Sequence, residues 1–334
     1  MTNRERVRTA LEHRQPDRVP YSLQFTAPAR EKMAAWYGDR DFESRLGNCF
    51  AIHTCHPKAA WQEVEPGIVR DHFGMIWDKR QDKDIGMVMN RAVTPENVDT
   101  YPFPDPANPL IWEPIRAAVA NRGDTYVVAQ LGFSLFERSW GLAGMPEILM
   151  AMAADPAFVN RLLDRILEYN LQVIERACAL GVDAMLFGDD WGCQRGLMMG
   201  PARWREFIAP RAGEMYRAAK RHGKTVLIHC CGKVEELFPE LIQLGVDVFN
   251  PFQPEAMDVY AAKRRFGKDL CFFGGISTQR TLPYATPEQT RAEVLRLLAE
   301  VGRQGGYIAA PAHSIPADAR PENIAAMIDA LQRQ

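Results

Sequence analysis

After a proline-rich linker, Pro102-Phe103-Pro104-Asp105-Pro106, the chain alternates helical stretches with short apolar runs, and no other feature constrains its fold as much. The runs are Tyr126 to Ala129, Ala184 to Phe187, Thr225 to Ile228, Val246 to Phe249, Leu270 to Phe273 and Gly306 to Ala309. Strands that are apolar on both faces and separated by helices belong to a parallel sheet covered by helices. The clearest helix begins at Asp155-Pro156, an N-cap followed by proline in the first turn. It carries Val159, Leu163, Ile166, Leu167, Ile174 and Cys178 at helical spacing until Gly181 stops it.

Before the linker the signal is weaker. Thr2 can cap a first helix with Val7, Ala10 and Leu11 on one face, ending ahead of Gln15-Pro16-Asp17. Val19 to Leu23 reads as a strand ending on Gln24. From Ala27 to Asp105 the pattern gives two weak helices and a loop or hairpin around Asp71-His72-Phe73-Gly74 and Trp77, with room for one more strand. Seven strands and a place for an eighth predict a (β/α)8 TIM barrel, a single α/β domain over residues 1–334 with an N-terminal helical extension. Neither Gly-x-Gly-x-x-Gly nor Gly-x-x-x-x-Gly-Lys is present to support a nucleotide-binding open sheet. A barrel of about 250 residues or more fits within 334.

With 40 basic and 42 acidic side chains the formal charge is −2, which gives no field to attract nucleic acid or an anionic membrane surface. No apolar run approaches the ~20 residues of a membrane span. The seven cysteines lack disulfide-like spacing and the start, Met1 to Arg8, is polar, so reduced thiols in a cytoplasm are expected.

Barrel chemistry gathers at the C-terminal ends of strands. Here those ends carry Gln24, Gln130, Asp189 with Asp190, His229 with Cys231, Asn250, Gly274 with Gly275, and His313. In Ile228-His229-Cys230-Cys231-Gly232 the alternation of extended backbone turns His229 and Cys231 to one side and Cys230 to the other. An imidazole and a thiolate suit zinc, whose catalytic sites take three protein ligands and an open position. His313 is the third candidate by position. A buried pair with no metal is the competing reading.

A second group, Cys49, His53, Cys55 and His56, also contains His-x-Cys but lacks the strand-then-glycine context, and Glu63 and Glu65 are only loosely placed near it. It is expected to line a helix–loop junction near the mouth. Asp189 and Asp190 can serve as proton donor and acceptor, as partners of a metal-bound histidine, or as caps. Gln130, Glu137, Arg138, Trp191 and Asn250 are candidate substrate contacts. Cys178 and Cys271 read as core, Cys193 as a loop thiol.

Several segments, taken in order, resemble one superfamily. They are Asn3-Arg4-Glu5-Arg6-Val7, Pro16-Asp17-Arg18-Val19-Pro20, Gly188-Asp189-Asp190-Trp191-Gly192, His229-Cys230-Cys231-Gly232, Asn250-Pro251, Phe273-Gly274-Gly275-Ile276 and Ala310-Pro311-Ala312-His313. The chain is similar along nearly its whole length to the uroporphyrinogen decarboxylase-like superfamily. That resemblance implies a (β/α)8 barrel with one of two activities. One branch decarboxylates uroporphyrinogen without metal or cofactor, using an Arg-Gln-Ala-Gly-Arg motif after the first strand. The other is zinc-dependent and moves methyl groups between a corrinoid, usually on a partner protein, and a thiol or related acceptor.

At the decarboxylase motif this chain reads Gln24-Phe25-Thr26-Ala27-Pro28-Ala29-Arg30, and the tyrosine expected after the second strand is replaced by Arg138 or a neighbour. True uroporphyrinogen decarboxylation is therefore not expected. His229 and Cys231 match the first two zinc ligands of the methyltransferase branch, and His313 stands in for its later cysteine. The resemblance thus implies a zinc-dependent methyltransferase with a small-molecule substrate, a corrinoid as substrate or on a partner protein, and a homodimer. Two alternatives stay open: a metal-independent decarboxylase or lyase of a small acid, using Asp189 or Asp190 with Arg138 or Arg195, and a non-catalytic tetrapyrrole or corrinoid-protein binding module.

Overall fold

The structure is a computed structural model and describes residues 1–81 and 86–334. Seven parallel strands curl into one sheet in chain order: β1 (Phe50–Thr54), β2 (Tyr126–Leu131), β3 (Ala184–Gly188), β4 (Thr225–His229), β5 (Val248–Phe252), β6 (Cys271–Ile276) and β7 (Tyr307–Pro311). The ring is closed by the predicted first strand, Val19 to Leu23, in irregular form. Ser22 N–H donates to Ala309 O (3.1 Å) and Ala309 N–H to Pro20 O (2.9 Å) on one side. On the other, Cys49 N–H donates to Tyr21 O (2.9 Å). Pro20 has no N–H to give, so the segment cannot form a full ladder. The eighth strand is β1, in the region that sequence left mixed.

Alternate residues of each strand enter two separate cores. Phe50, Val128, Leu186, Leu227, Val248, Phe273 and Ile308 fill the barrel interior, and Val7 of the first helix (α1, Asn3–Leu11) plugs its lower end. Thr2 caps α1 reciprocally with Glu5, an arrangement worth about 1 kcal/mol. The other strand faces pack against helices, chief among them α3 (Pro156–Ala179), where Asp155 accepts from Phe158 N–H at 3.1 Å. Cys178 lies in this outer layer and Cys271 inside the barrel, both buried.

Between β1 and the linker, an antiparallel sheet of Gln62–Glu65, Ile68–Arg70, Ile76–Asp78 and Met87–Val88 stands over the mouth. Asp71 fastens its central turn by accepting from Phe73 N–H (2.8 Å), Met75 N–H (3.0 Å) and Trp77 Nε1–H (3.1 Å). Among the described residues no helix is long and apolar enough to cross a membrane.

The Cys49–His56 group sits on a strand and not at a helix–loop junction. Cys49 precedes β1, Cys55 and His56 follow it, and five residues of extended chain hold the two cysteines at opposite ends. The four side chains therefore do not converge.

Candidate active site

The upper end of the barrel encloses a cavity of about 160 Å³ lined by Gln24, Gln130, His229, Asn250 and His313, with Ser22 and Ser314 at its rim. Five polar positions expected at strand ends thus meet in one space. Among the described residues, His229, Cys231 and His313 are the one set of three or more His, Cys, Asp or Glu side chains whose ligand atoms converge, all within 4.8 Å of one another.

His229 ends β4, and its ring is fixed from behind. Asn250 Nδ2 donates to Phe273 O at 2.9 Å, which leaves Asn250 Oδ1 to accept from His229 Nδ1–H at 2.6 Å. In the neutral ring Nε2 is then the lone-pair nitrogen, and it lies 3.5 Å from Cys231 Sγ. Tetrahedral zinc, with Zn–N of about 2.05 Å and Zn–S of about 2.3 Å, places N and S about 3.6 Å apart. The donor pair therefore fits zinc in chemistry, tautomer and spacing. The His313 ring stands 5.6 Å from that of His229, centroid to centroid, at 68°.

The loop carrying Cys231 is held by close backbone contact. Gly232 has φ +88°, and a Cβ there would come within 2.8 Å of the Gly192 and Cys193 backbone. Only glycine admits this approach at a positive φ. Asp190 Oδ1 accepts from Cys231 N–H at 2.7 Å. Burial, and then the Asp190 carboxylate, push the Cys231 thiol well above the usual thiol range.

Asp189 and Asp190 divide their tasks. Asp189 is 2 % exposed and accepts from Leu135 N–H (3.3 Å), Phe136 N–H (3.0 Å), Glu137 N–H (2.8 Å) and Trp191 Nε1–H (2.6 Å). It caps helix α2 (Phe136–Ala143) from across the sheet and does not line the cavity. Burial pushes its carboxyl up to about 6 against these four donors. The interacting carboxyl pair is instead Asp190 with Glu137, whose carboxylate faces the Asp190 backbone N–H. Burial first, then the charges of Asp190 and Asp189, raise Glu137 well above the ordinary carboxylate range.

Other expected substrate contacts fall in different places. Trp191 is 1 % exposed, its N–H held by Asp189 and its ring set against Trp204 at 5.3 Å, so it is core and not a cavity wall. Arg195 is exposed in the turn of a small hairpin, Gly192–Cys193 with Gly196–Leu197. Arg138 is fully buried but lines a second cavity of about 220 Å³ under the antiparallel sheet, and Gln130 is common to both cavities. His72 and Trp61 in that second cavity, and Ser22 in the first, are lining residues beyond those expected from sequence. Only the period-2 placement of Ser22 before Gln24 signals its position.

Comparison with known proteins agrees with this architecture. The chain can be superposed on a methyltransferase from Methanosarcina mazei with a TM-score of 0.76 over 99% of this chain and 98% of that one, at 15% identity, a likeness of fold. The uroporphyrinogen decarboxylase of Psychromonas ingrahamii is 24% identical over 260 residues, 74% of this chain and 71% of its own length. That of Edwardsiella ictaluri is 26% identical over 253 residues, covering 71% and 68%. The family model "Uroporphyrinogen decarboxylase (URO-D)" matches residues 70–334, which include His229, Cys231 and His313, and the chain belongs to that family.

Proposed function

We propose that this chain is a zinc-dependent methyltransferase that moves a methyl group between a corrinoid, free or carried on a partner protein, and a thiol-type acceptor in the cytoplasm. One observation carries the reading: His229, Cys231 and His313 converge at the barrel mouth with the His229 tautomer set for ligation. These three residues would hold zinc. The ion would supply a Lewis acid that keeps a substrate thiol as its nucleophilic thiolate at neutral pH.

The rest is done by the chain itself. Asn250 holds His229 Nδ1–H, which leaves Nε2 as the lone-pair nitrogen of the neutral imidazole. Asp190, against both the amide and the thiol of Cys231, is placed to take the proton that Sγ would release on binding zinc. Asp189 is a positioning residue: it fixes the first turn of α2, which carries Glu137 and Arg138. Gln24 and Gln130 offer amides at the cavity wall to orient the substrate.

The test is transfer from methylcobalamin to a small thiol, followed by the absorbance change of the demethylated corrinoid. Turnover that a chelator removes and added zinc restores supports the reading. A second reading, a metal-independent decarboxylase or lyase of a small acid, is favoured by Glu137, whose raised carboxyl is a proton donor beside Asp190. Acid turnover that survives chelation but not Asp190→Asn would replace the first reading with the second.

A further inference from the structure

The second cavity contains a buried charge that the protein leaves half-answered. Arg138 is 3 % exposed, stands over the Phe73 ring with its guanidinium carbon 3.8 Å from the centroid, and makes no hydrogen bond with any described residue. Its one ion-pair partner among the described residues, Asp71, stands off at 3.7 Å because that carboxylate is spent on three N–H groups of its own turn. A guanidinium carries five N–H donors, and burying it without filling them is costly. Two other atoms of the lining, Trp61 Nε1 and His72 Nδ1, are also buried with no hydrogen-bond partner among the described residues.

The walls define what would answer the charge. Trp61 and Trp77 stack at 5.9 Å and 18°, and Phe133 meets Trp77 edge-on at 5.6 Å, giving flat apolar sides. Lys58 and Lys79 line the same space, and burial together with the Arg138 charge keeps His72 neutral, its pKa lowered to about 3. The lining thus carries the cations Lys58, Lys79 and Arg138 beside the Asp71 carboxylate. The volume is about 220 Å³, and an apolar cavity of ~150 Å³ is known to admit benzene, so one ring with its substituents fits.

We propose that this cavity is a subsite for the carboxylate of a small acid with a planar one-ring body, the carboxylate seated on Arg138 and the ring against the wall formed by Trp61, Trp77 and Phe133. A planar carboxylate matches the guanidinium fork in a bidentate pair. Gln130, shared by the two cavities, sets the far end of such a ligand toward His229. The subsite rests on the methyltransferase reading only for what happens at that far end.

The experiment is titration of the unmodified protein with benzoate and with benzamide, its neutral isostere, read by the fluorescence of Trp61 and Trp77 and by calorimetry. Benzoate is expected to bind at least tenfold more tightly. Arg138→Met should abolish the preference and Arg138→Lys retain part of it, circular dichroism confirming that each variant is folded. Equal binding of the two probes, no binding of either, or an undiminished preference in folded Arg138→Met would overturn the subsite. No methyl donor, zinc or turnover enters the measurement, so its failure is separable from failure of the methyltransferase reading.

Discussion

The two cavities at the barrel mouth share Gln130 and little else. The first is built from strand ends, with each side chain fixed by the sheet beneath it: Gln130 on β2, His229 on β4, Asn250 on β5. The second is roofed by an insertion, the antiparallel sheet between β1 and the linker, and is held by the Asp71 turn. Strand ends recur at spacings that a parallel barrel imposes, whereas an insertion obeys no such period. The difference separates a framework whose side chains are fixed by the parallel barrel, fit to hold an ion, from a roof that shapes what may approach it.

The sharpest way to break this comparison is to remove a ligand of the first cavity. Cys231→Ala and His229→Ala are expected to lose both zinc and methyl transfer to below detection, with unchanged circular dichroism and undiminished benzoate binding in the second cavity. Next in size is Asp189→Ala, which leaves four N–H donors unanswered. Hydrogen bonds to a buried charge are worth about 1.5–3 kcal/mol each, and with partial relaxation a loss of about 3 kcal/mol is expected in urea unfolding. Since α2 carries both Glu137 and Arg138, this variant should disturb both cavities, unlike the ligand variants.

Asn250→Ala acts on the zinc centre through the orientation of His229. Such outer partners of a metal ligand are typically worth 10–100-fold in affinity, and competition with a chelator of known strength measures the change. The smallest effect concerns the second cavity alone. His56 and His72 lie with Nδ1 and Nε2 3.1 Å apart, and burial first, then the Arg138 charge, lowers both pKa values, that of His72 to about 3. A folded pKa below the unfolded value of about 6.5 gives stability that is complete above that pH and is lost as pH falls toward the folded value. Unfolding free energy should therefore decline by at most about 1.4 kcal/mol per pH unit for each imidazole below pH ~6, and His72→Gln should flatten that slope.

How far each region was legible follows from the same contrast. Both faces of a parallel barrel strand are buried, so β2 to β7 appear as apolar runs, and the polar residue ending each run marks the mouth. β1, Phe-Ala-Ile-His-Thr, carries a histidine and a threonine among its five residues and gives no such run. Val19 to Leu23 reads as a strand because of its apolar residues, yet Pro20 interrupts its ladder and leaves it with an isolated bridge from Tyr21 to Ala309. Adjacency in sequence also misleads about adjacency of function. Asp189 and Asp190 sit side by side, but alternation sends one into the start of α2 and the other toward Cys231. Glu137, which pairs with Asp190, comes from a different strand-to-helix loop, and no local pattern announces that pairing. Arg138 follows β2 as predicted, but only the inserted sheet determines which cavity it lines.

The central claim is that His229, Cys231 and His313 form a zinc centre. It is tested most directly by elemental analysis of protein purified without chelator, beside the His229→Ala and Cys231→Ala variants. The account predicts close to one zinc per chain in the unmodified protein and loss of zinc from both variants. Protein purified free of zinc that also fails to take it up, or variants that both retain it, would contradict the account.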